Sequence, residues 1–172
     1  MNKRSLLPRL VLGAILLALP AAADAPRNPP QYAQFLADTP TIQDNFTKLE
    51  WDRRSILSVG RNAEFGSAQV TCKGLTSFDK TNGNPTLGRV PTLKELLTIL
   101  DEAPHDEYEF GAVVPKMIDQ LAFADTPVDH PYWTSTPAGG PGSGMVWTLS
   151  FRTGEMKALP TTLATANVRC VR

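Results

Sequence analysis

The stretch Leu87-Gly88-Arg89-Val90-Pro91-Thr92-Leu93-Lys94-Glu95-Leu96-Leu97-Thr98-Ile99-Leu100-Asp101 constrains this chain more than any other. Thr92 suits a helix N-cap, its hydroxyl accepting from the backbone N–H of Glu95. The Glu95 carboxylate reaches back to the N–H of Thr92, closing a capping box. Pro91 disfavours helix at Val90, so the chain must arrive extended. Leu93, Leu96, Leu97 and Leu100 then share one helical face. The residues predict a short buried helix with a fixed entry point. Alone they make it a core element and name no ligand or reaction.

The N-terminus reads as a removable export signal. Lys3, Arg4 and Arg9 form a positive region, and the apolar run Leu10 to Leu19 is too short to span a bilayer comfortably. Ala21-Ala22-Ala23 is a small-x-small cleavage site, which leaves Asp24 first in the mature chain. Cleavage after Ala25 is less attractive because Pro26 would follow the cut. An uncleaved anchor is the competing reading. No cysteine lies near the site, so a lipoprotein anchor is not supported. The expected organisation is a signal peptide over residues 1–23, a Pro-rich lead-in over 24–40 and one domain over 41–172. The lead-in holds Pro26, Pro29, Pro30 and Pro40, with room for one helical turn between Gln31 and Ala37.

Charge limits the partners. The full chain has 17 basic and 17 acidic residues. Removing Lys3, Arg4 and Arg9 leaves 14 against 17, a net −3. That argues against nucleic acid, which needs a basic excess, although it leaves room for a local basic patch. The two cysteines, Cys72 and Cys170, form an even set, and in an exported chain that favours a disulfide. Free thiols or a metal pair are the alternatives.

Local signals order the rest. Thr41-Ile42-Gln43 and Leu49-Glu50-Trp51 flank turn residues and suggest a hairpin. Asn45-Phe46-Thr47 is formally an N-glycosylation sequon, meaningful only in a eukaryotic secretory pathway. Phe65, Ala68 and Cys72 share a face of a helix running to Lys73, with Gly74 suited to its C′ position. Asp79 to Pro85 is turn chemistry. Asp101 to Glu109 reads as an acidic surface loop. Val113 to Phe123 holds a helical turn around Met117, Ile118 and Leu121, and Asp125 to Pro131 is another loop. The C-terminal third changes period. Tyr132 to Thr136 is a strand, and Pro137 to Gly144 a Gly/Pro loop. Met145, Trp147, Leu149 and Phe151 alternate with Val146, Thr148, Ser150 and Arg152 in a second strand. A turn at Arg152 to Glu155 leads into Met156 to Leu159, and Asn167 to Arg172 is the last strand. Two short helices followed by an antiparallel meander make the fold class α+β.

The order of these segments resembles the Lcl C-terminal domain (DUF1566) family. The residues that carry the likeness are Trp51, Cys72 with Gly74-Leu75, Arg89-Val90-Pro91-Thr92-Leu93-Lys94-Glu95-Leu96 and Phe123-Ala124-Asp125-Thr126-Pro127. Tyr132-Trp133-Thr134-Ser135-Thr136, Val146-Trp147 to Phe151, Gly154-Glu155 and Val168-Arg169-Cys170-Val171-Arg172 complete the set. The likeness runs from Thr41 to Arg172. Gly88 stands where the family usually has Trp, Val90 where it has Leu, and Thr134 where it has Ser. The acidic stretch Asp101 to Phe110 and the Gly/Pro loop are this chain's own. The resemblance implies a C-type-lectin-like fold related to the formylglycine-generating enzymes. It also implies an exported bacterial protein, periplasmic or extracellular, with a structural Cys72–Cys170 bridge. The adhesin that names the family binds sulfated polysaccharides in attachment. Its collagen-like stalk is not present here, so stalk-driven trimerisation does not carry over.

Catalytic chemistry is not supported. His105 and His130 both sit in expected loops, and there is no Gly-x-Ser-x-Gly elbow. Formylglycine generation needs a redox-active cysteine pair, and the two cysteines fit the bridge. Two separated histidines and two bridged cysteines do not make a zinc site. Asp125, Asp129 and the Asp101 to Glu109 run offer oxygens for calcium, but Glu-Pro-Asn and Trp-Asn-Asp motifs are not present, and solvated loops are the competing reading. No cofactor is expected. A sulfated glycan would need converging cations, and Arg152, Lys157, Arg169 and Arg172 are the candidates if the C-terminal strands are neighbours. Ordinary surface charge is the alternative. Trp133 and Trp147 suit either a sugar platform or the core. The expectation is a non-enzymatic exported binding module for a polysaccharide or a surface partner. The alternative is a structural or protein-interaction domain of the envelope.

Overall fold

A computed structural model describes residues 31–32, 40–53, 63–75, 88–109, 111–123, 126–140 and 142–172. The expected signal peptide, the Asp79 to Pro85 turn and residues 24–30 and 33–39 of the lead-in lie outside the described residues. Strands β1 (Thr41–Gln43) and β2 (Glu50–Asp52) form an antiparallel hairpin with Ile42 opposite Trp51. Helices α1 (Phe65–Lys73) and α2 (Leu93–Leu97) follow. A second hairpin joins β3 (His105–Glu109) to β4 (Ala112–Lys116), and β5 (Tyr132–Pro137), β6 (Met145–Leu149) and β7 (Met156–Pro160) make a meander in that order. The α+β expectation is met.

The meander separates two apolar clusters. Tyr132 pairs with Leu149, and both join Phe151, Trp51, Leu96, Ile99, Ile118 and Phe123 on one side. Trp133 pairs with Thr148, and Trp133 joins Val146, Ala68, Cys72 and Cys170 on the other. Strand alternation alone produces this split, because successive side chains point to opposite faces. Helix α1 belongs to the second cluster. Its Ala68 and Cys72 are buried, and Phe65 meets the edge of Trp133 with centroids 5.6 Å apart. Gly74 ends α1 as expected, but at φ −84, so no left-handed conformation requires the glycine.

Helix α2 carries the expected capping box. Glu95 N donates to Thr92 Oγ1 at 3.2 Å, and Thr92 N donates to Glu95 Oε2 at 2.8 Å. Arg89 adds a bidentate pair to the Glu95 carboxylate at 2.6 and 2.7 Å. The helix is shorter than its pattern suggested. After Leu97 the bonds tighten to three-residue spacing, from Ile99 N to Leu96 O and from Leu100 N to Leu97 O. The buried arc centres on Leu96 and includes Ile99, which leaves Leu97 exposed rather than on the inward face. Leu97 lies about 100° around the helix from Leu96, at the margin of the apolar arc.

Three segments differ from expectation. The acidic stretch is a strand, not a loop: His105 to Glu109 pairs residue for residue with Lys116 to Ala112. Gly111, at φ +85, supplies the left-handed conformation of the tight turn between them. The helical turn expected across Val113 to Phe123 is confined to Asp119–Phe123, where Phe123 N donates to Asp119 O. Asp119 Oδ1 accepts from Leu121 N and Ala122 N, so a side-chain cap sets that turn. The last segment does not extend the meander as a regular strand. Val171 bridges both Trp51 and Arg89, Ala166 bridges Ala63, and Asn167 bridges Tyr132 in parallel. The terminus thus lies between β2 and the entry to α2. The lead-in is also engaged at Tyr32, which bridges Asp44 and meets the Phe123 ring edge-on at 5.3 Å.

The Cys72–Cys170 disulfide is formed, with Cα atoms 5.4 Å apart across 98 residues of sequence. For a loop of that length the chain-entropy account gives a contribution of about 4–5 kcal/mol. Replacing both cysteines by alanine should lower the urea unfolding free energy by up to that amount. Glu95 supplies a second expectation. Its carboxyl is held down to about 2 by the Arg89 hydrogen bonds and the Thr92 N–H, against the opposing effect of burial. A depressed carboxylate contributes fully above its unfolded pKa and loses its contribution as pH falls through the folded value. Stability should therefore fall from about pH 5 toward pH 2, with a shallower slope in Glu95→Gln, which keeps the box but not the charge.

Candidate ligand-binding surface

The four expected cations occupy three different settings. Arg169 is inside, at 2 % exposure. Its Nη1 donates to the carbonyls of Asp52 at 2.7 Å and Arg53 at 3.2 Å, and its Nη2 to Thr126 Oγ1 at 2.8 Å. The guanidinium lies 4.8 Å from the Phe123 ring centroid and 6.0 Å from that of Tyr132. Flat, weakly hydrated and rich in donors, a guanidinium suits such a place between rings and carbonyls. Arg172 is half-buried and pairs with Glu50 through Nε and Nη2. Arg152 and Lys157 are exposed, in the turn after β6 and on β7. The four do not converge on one surface, because burial removes Arg169 from the expected set.

A second buried arginine did not stand out in the sequence. Arg53 Nε donates to Ala122 O at 2.9 Å and Nη2 to Leu121 O at 3.1 Å. It holds two carbonyls at the end of the Asp119 turn, as a cap does for the last carbonyls of a helix. Thr126 links the two systems, since its hydroxyl donates to Phe123 O at 2.6 Å while accepting from Arg169. The arginines thus fix the turn and the loop after it from inside.

The exposed pair Arg152 and Lys157 belongs to a braced turn. Gly154, at φ +69, lets the chain reverse, and Gly154 N donates to Ser150 O. Met117 N donates to Phe151 O at 2.7 Å, and Asp101 N to Met117 O at 2.9 Å. Met117 directly follows β4, so this ladder seats the base of the β3–β4 hairpin beside the β6–β7 turn. On that hairpin Tyr108 faces Val113 across the strands, and Asp106 faces Pro115. Tyr108 is 77 % and Val113 59 % exposed, whereas Val114 packs on the core and Lys116 is buried.

The tryptophans do not form a joint platform. Trp133 is buried and donates from Nε1 to Ala63 O at 2.6 Å. Trp147 is half-buried opposite Ala158, and alternation puts it on the other face of the meander. His105 lies on β3, and His130 Nδ1 sits 3.1 Å from Asp129 Oδ2. Asp125, the other calcium candidate of that loop, lies outside the described residues. Among the described residues no group of three or more His, Cys, Asp or Glu side chains is placed to hold a metal ion.

Arg169→Ala would leave two backbone carbonyls and the Thr126 hydroxyl without their buried donor. A loss of about 3 kcal/mol or more is expected in urea unfolding, whereas Arg152→Ala should stay within about 0.5 kcal/mol of the parent.

No curated protein matches the chain. Residues 40–172 match the family model described as the Lcl C-terminal domain. That span takes in both hairpins, both helices, the meander and both cysteines. The chain belongs to the Lcl C-terminal domain family.

Proposed function

We propose that this chain is an exported, non-enzymatic binding module of the bacterial envelope that engages a polysaccharide or a surface protein in attachment. Its scaffold is C-type-lectin-like and related to the formylglycine-generating enzymes. The family match over residues 40–172 supports the reading. The observation that carries it is the division of labour in the fold. A disulfide and two buried arginines fix the interior, while the Arg152–Lys157 turn and the β3–β4 hairpin stand out side by side from that frame. Rigid scaffolds presenting polar turns are the usual arrangement for recognition. Both cysteines are joined to each other, which favours a structural over a redox role.

A structural or protein-interaction domain is the second reading, and the exposed Tyr108–Val113 pair favours it. Heparin chromatography at low salt and a glycan array separate the two. The polysaccharide reading expects retention that weakens as salt rises, and elution at lower salt for Arg152→Ala with Lys157→Ala. No retention and no array signal would contradict it. A stable envelope protein recovered by pull-down without any glycan binding would favour the second reading.

A further inference from the structure

The geometry points to the outer face of the β3–β4 hairpin as a docking surface for a cationic segment of a protein partner. This inference rests on the binding-module reading and names the partner class for its protein version. Strand register defines the face. Asp106, Tyr108, Val113 and Pro115 lie on one side of the ribbon, and Val114 and Lys116 on the other. The second side is anchored, with Val114 against the core and Lys116 buried. The first side is open, and its central cross-strand pair, Tyr108 and Val113, is 77 % and 59 % exposed. Directly opposed residues in an antiparallel ribbon touch, so these two form one apolar spot rather than two scattered ones. A tyrosine with an apolar ring and a polar tip is the residue type enriched where proteins meet.

Charge selects the occupant. By register Asp106 shares the face of Tyr108, whereas Glu107 and Glu109 belong to the Val114 side of the ribbon. Asp106 is exposed. A second copy docking face to face would set acid against acid. A sulfated glycan or an anionic lipid surface would meet the same repulsion. A peptide strand bearing Arg or Lys beside an aliphatic residue satisfies both features. Its apolar side chain covers Tyr108 and Val113, its cation meets Asp106, and an arginine can also stack on the tyrosine ring.

The test uses the full chain and three probes read by fluorescence anisotropy: a short arginine–leucine peptide, its glutamate–leucine counterpart and labelled heparin. The arginine–leucine peptide should bind, weaken with salt, and lose about tenfold in affinity in Tyr108→Ser and, separately, in Asp106→Asn. Leu163→Ser, at a residue 88 % exposed on another segment, should leave binding unchanged. Equal binding of the glutamate–leucine peptide would overturn the proposal, as would peptide binding indifferent to both hairpin variants. A concentration-dependent dimer abolished by Tyr108→Ser would replace the cationic partner with a second copy and also overturn it. Heparin binding lost with Arg152 and Lys157, while the peptide fails to bind, would sink this inference and leave the binding-module reading standing. Peptide binding that depends on Tyr108, with no heparin or glycan binding, would support it and discard the polysaccharide version.

Discussion

The terminal segment from Ala166 to Val171 is the constraint on which the rest of the structure depends. Every residue in it is buried. Cys170 is bonded to α1, Val171 exchanges hydrogen bonds with Arg89 at 2.9 and 3.0 Å, and Asp52 N donates to Cys170 O at 3.0 Å. Arg169 reaches from the same stretch into the first core cluster, while Val168 and Cys170 face the second. This segment joins the N-terminal hairpin, the disulfide helix and the entry to α2.

That arrangement accounts for how the capped helix acts. The Arg89 side chain clamps Glu95 while its backbone bridges Val171, so one residue sets both the start of α2 and its distance from the terminus. Pro91 O accepts from Ser135 N, and Leu93 N donates to Thr136 Oγ1, which fixes the helix against β5. The surface elements are then held at their bases. The Asp101–Met117–Phe151 ladder is the shared base of the β3–β4 hairpin and the β6–β7 turn.

Much of the fold was legible where the signal is local. The capping box, the Phe65–Ala68–Cys72 face and the strict alternation after Met145 each specify an element without help from the rest of the chain. The β3–β4 hairpin was hidden because its β3 side is acidic rather than apolar, so no hydrophobic period marks it. Gly111 followed by Ala112-Val113-Val114 was the available sign of a hairpin. The fate of Arg169 was not legible from charge, since a strand-borne arginine more often faces water. The clue was its position inside Val168-Arg169-Cys170-Val171, where apolar residues crowd both sides. Arg53 gave less warning, as its partners are carbonyls nearly seventy residues away. Backbone acceptors leave no trace in sequence.

Native-state hydrogen exchange across the intact, oxidised chain tests the central claim most directly. If the terminus closes the domain, the amides of Val171, Arg89, Asp52 and Trp133 should exchange only by global unfolding, with a common free energy equal to that from urea denaturation. Their acceptors are Arg89 O, Val171 O, Cys170 O and Asn167 O, so none can open while the segment stays in place. Rapid, independent exchange at Val171 and Arg89, with Trp133 still protected, would show a fraying end on a core that holds without it, and would contradict the account.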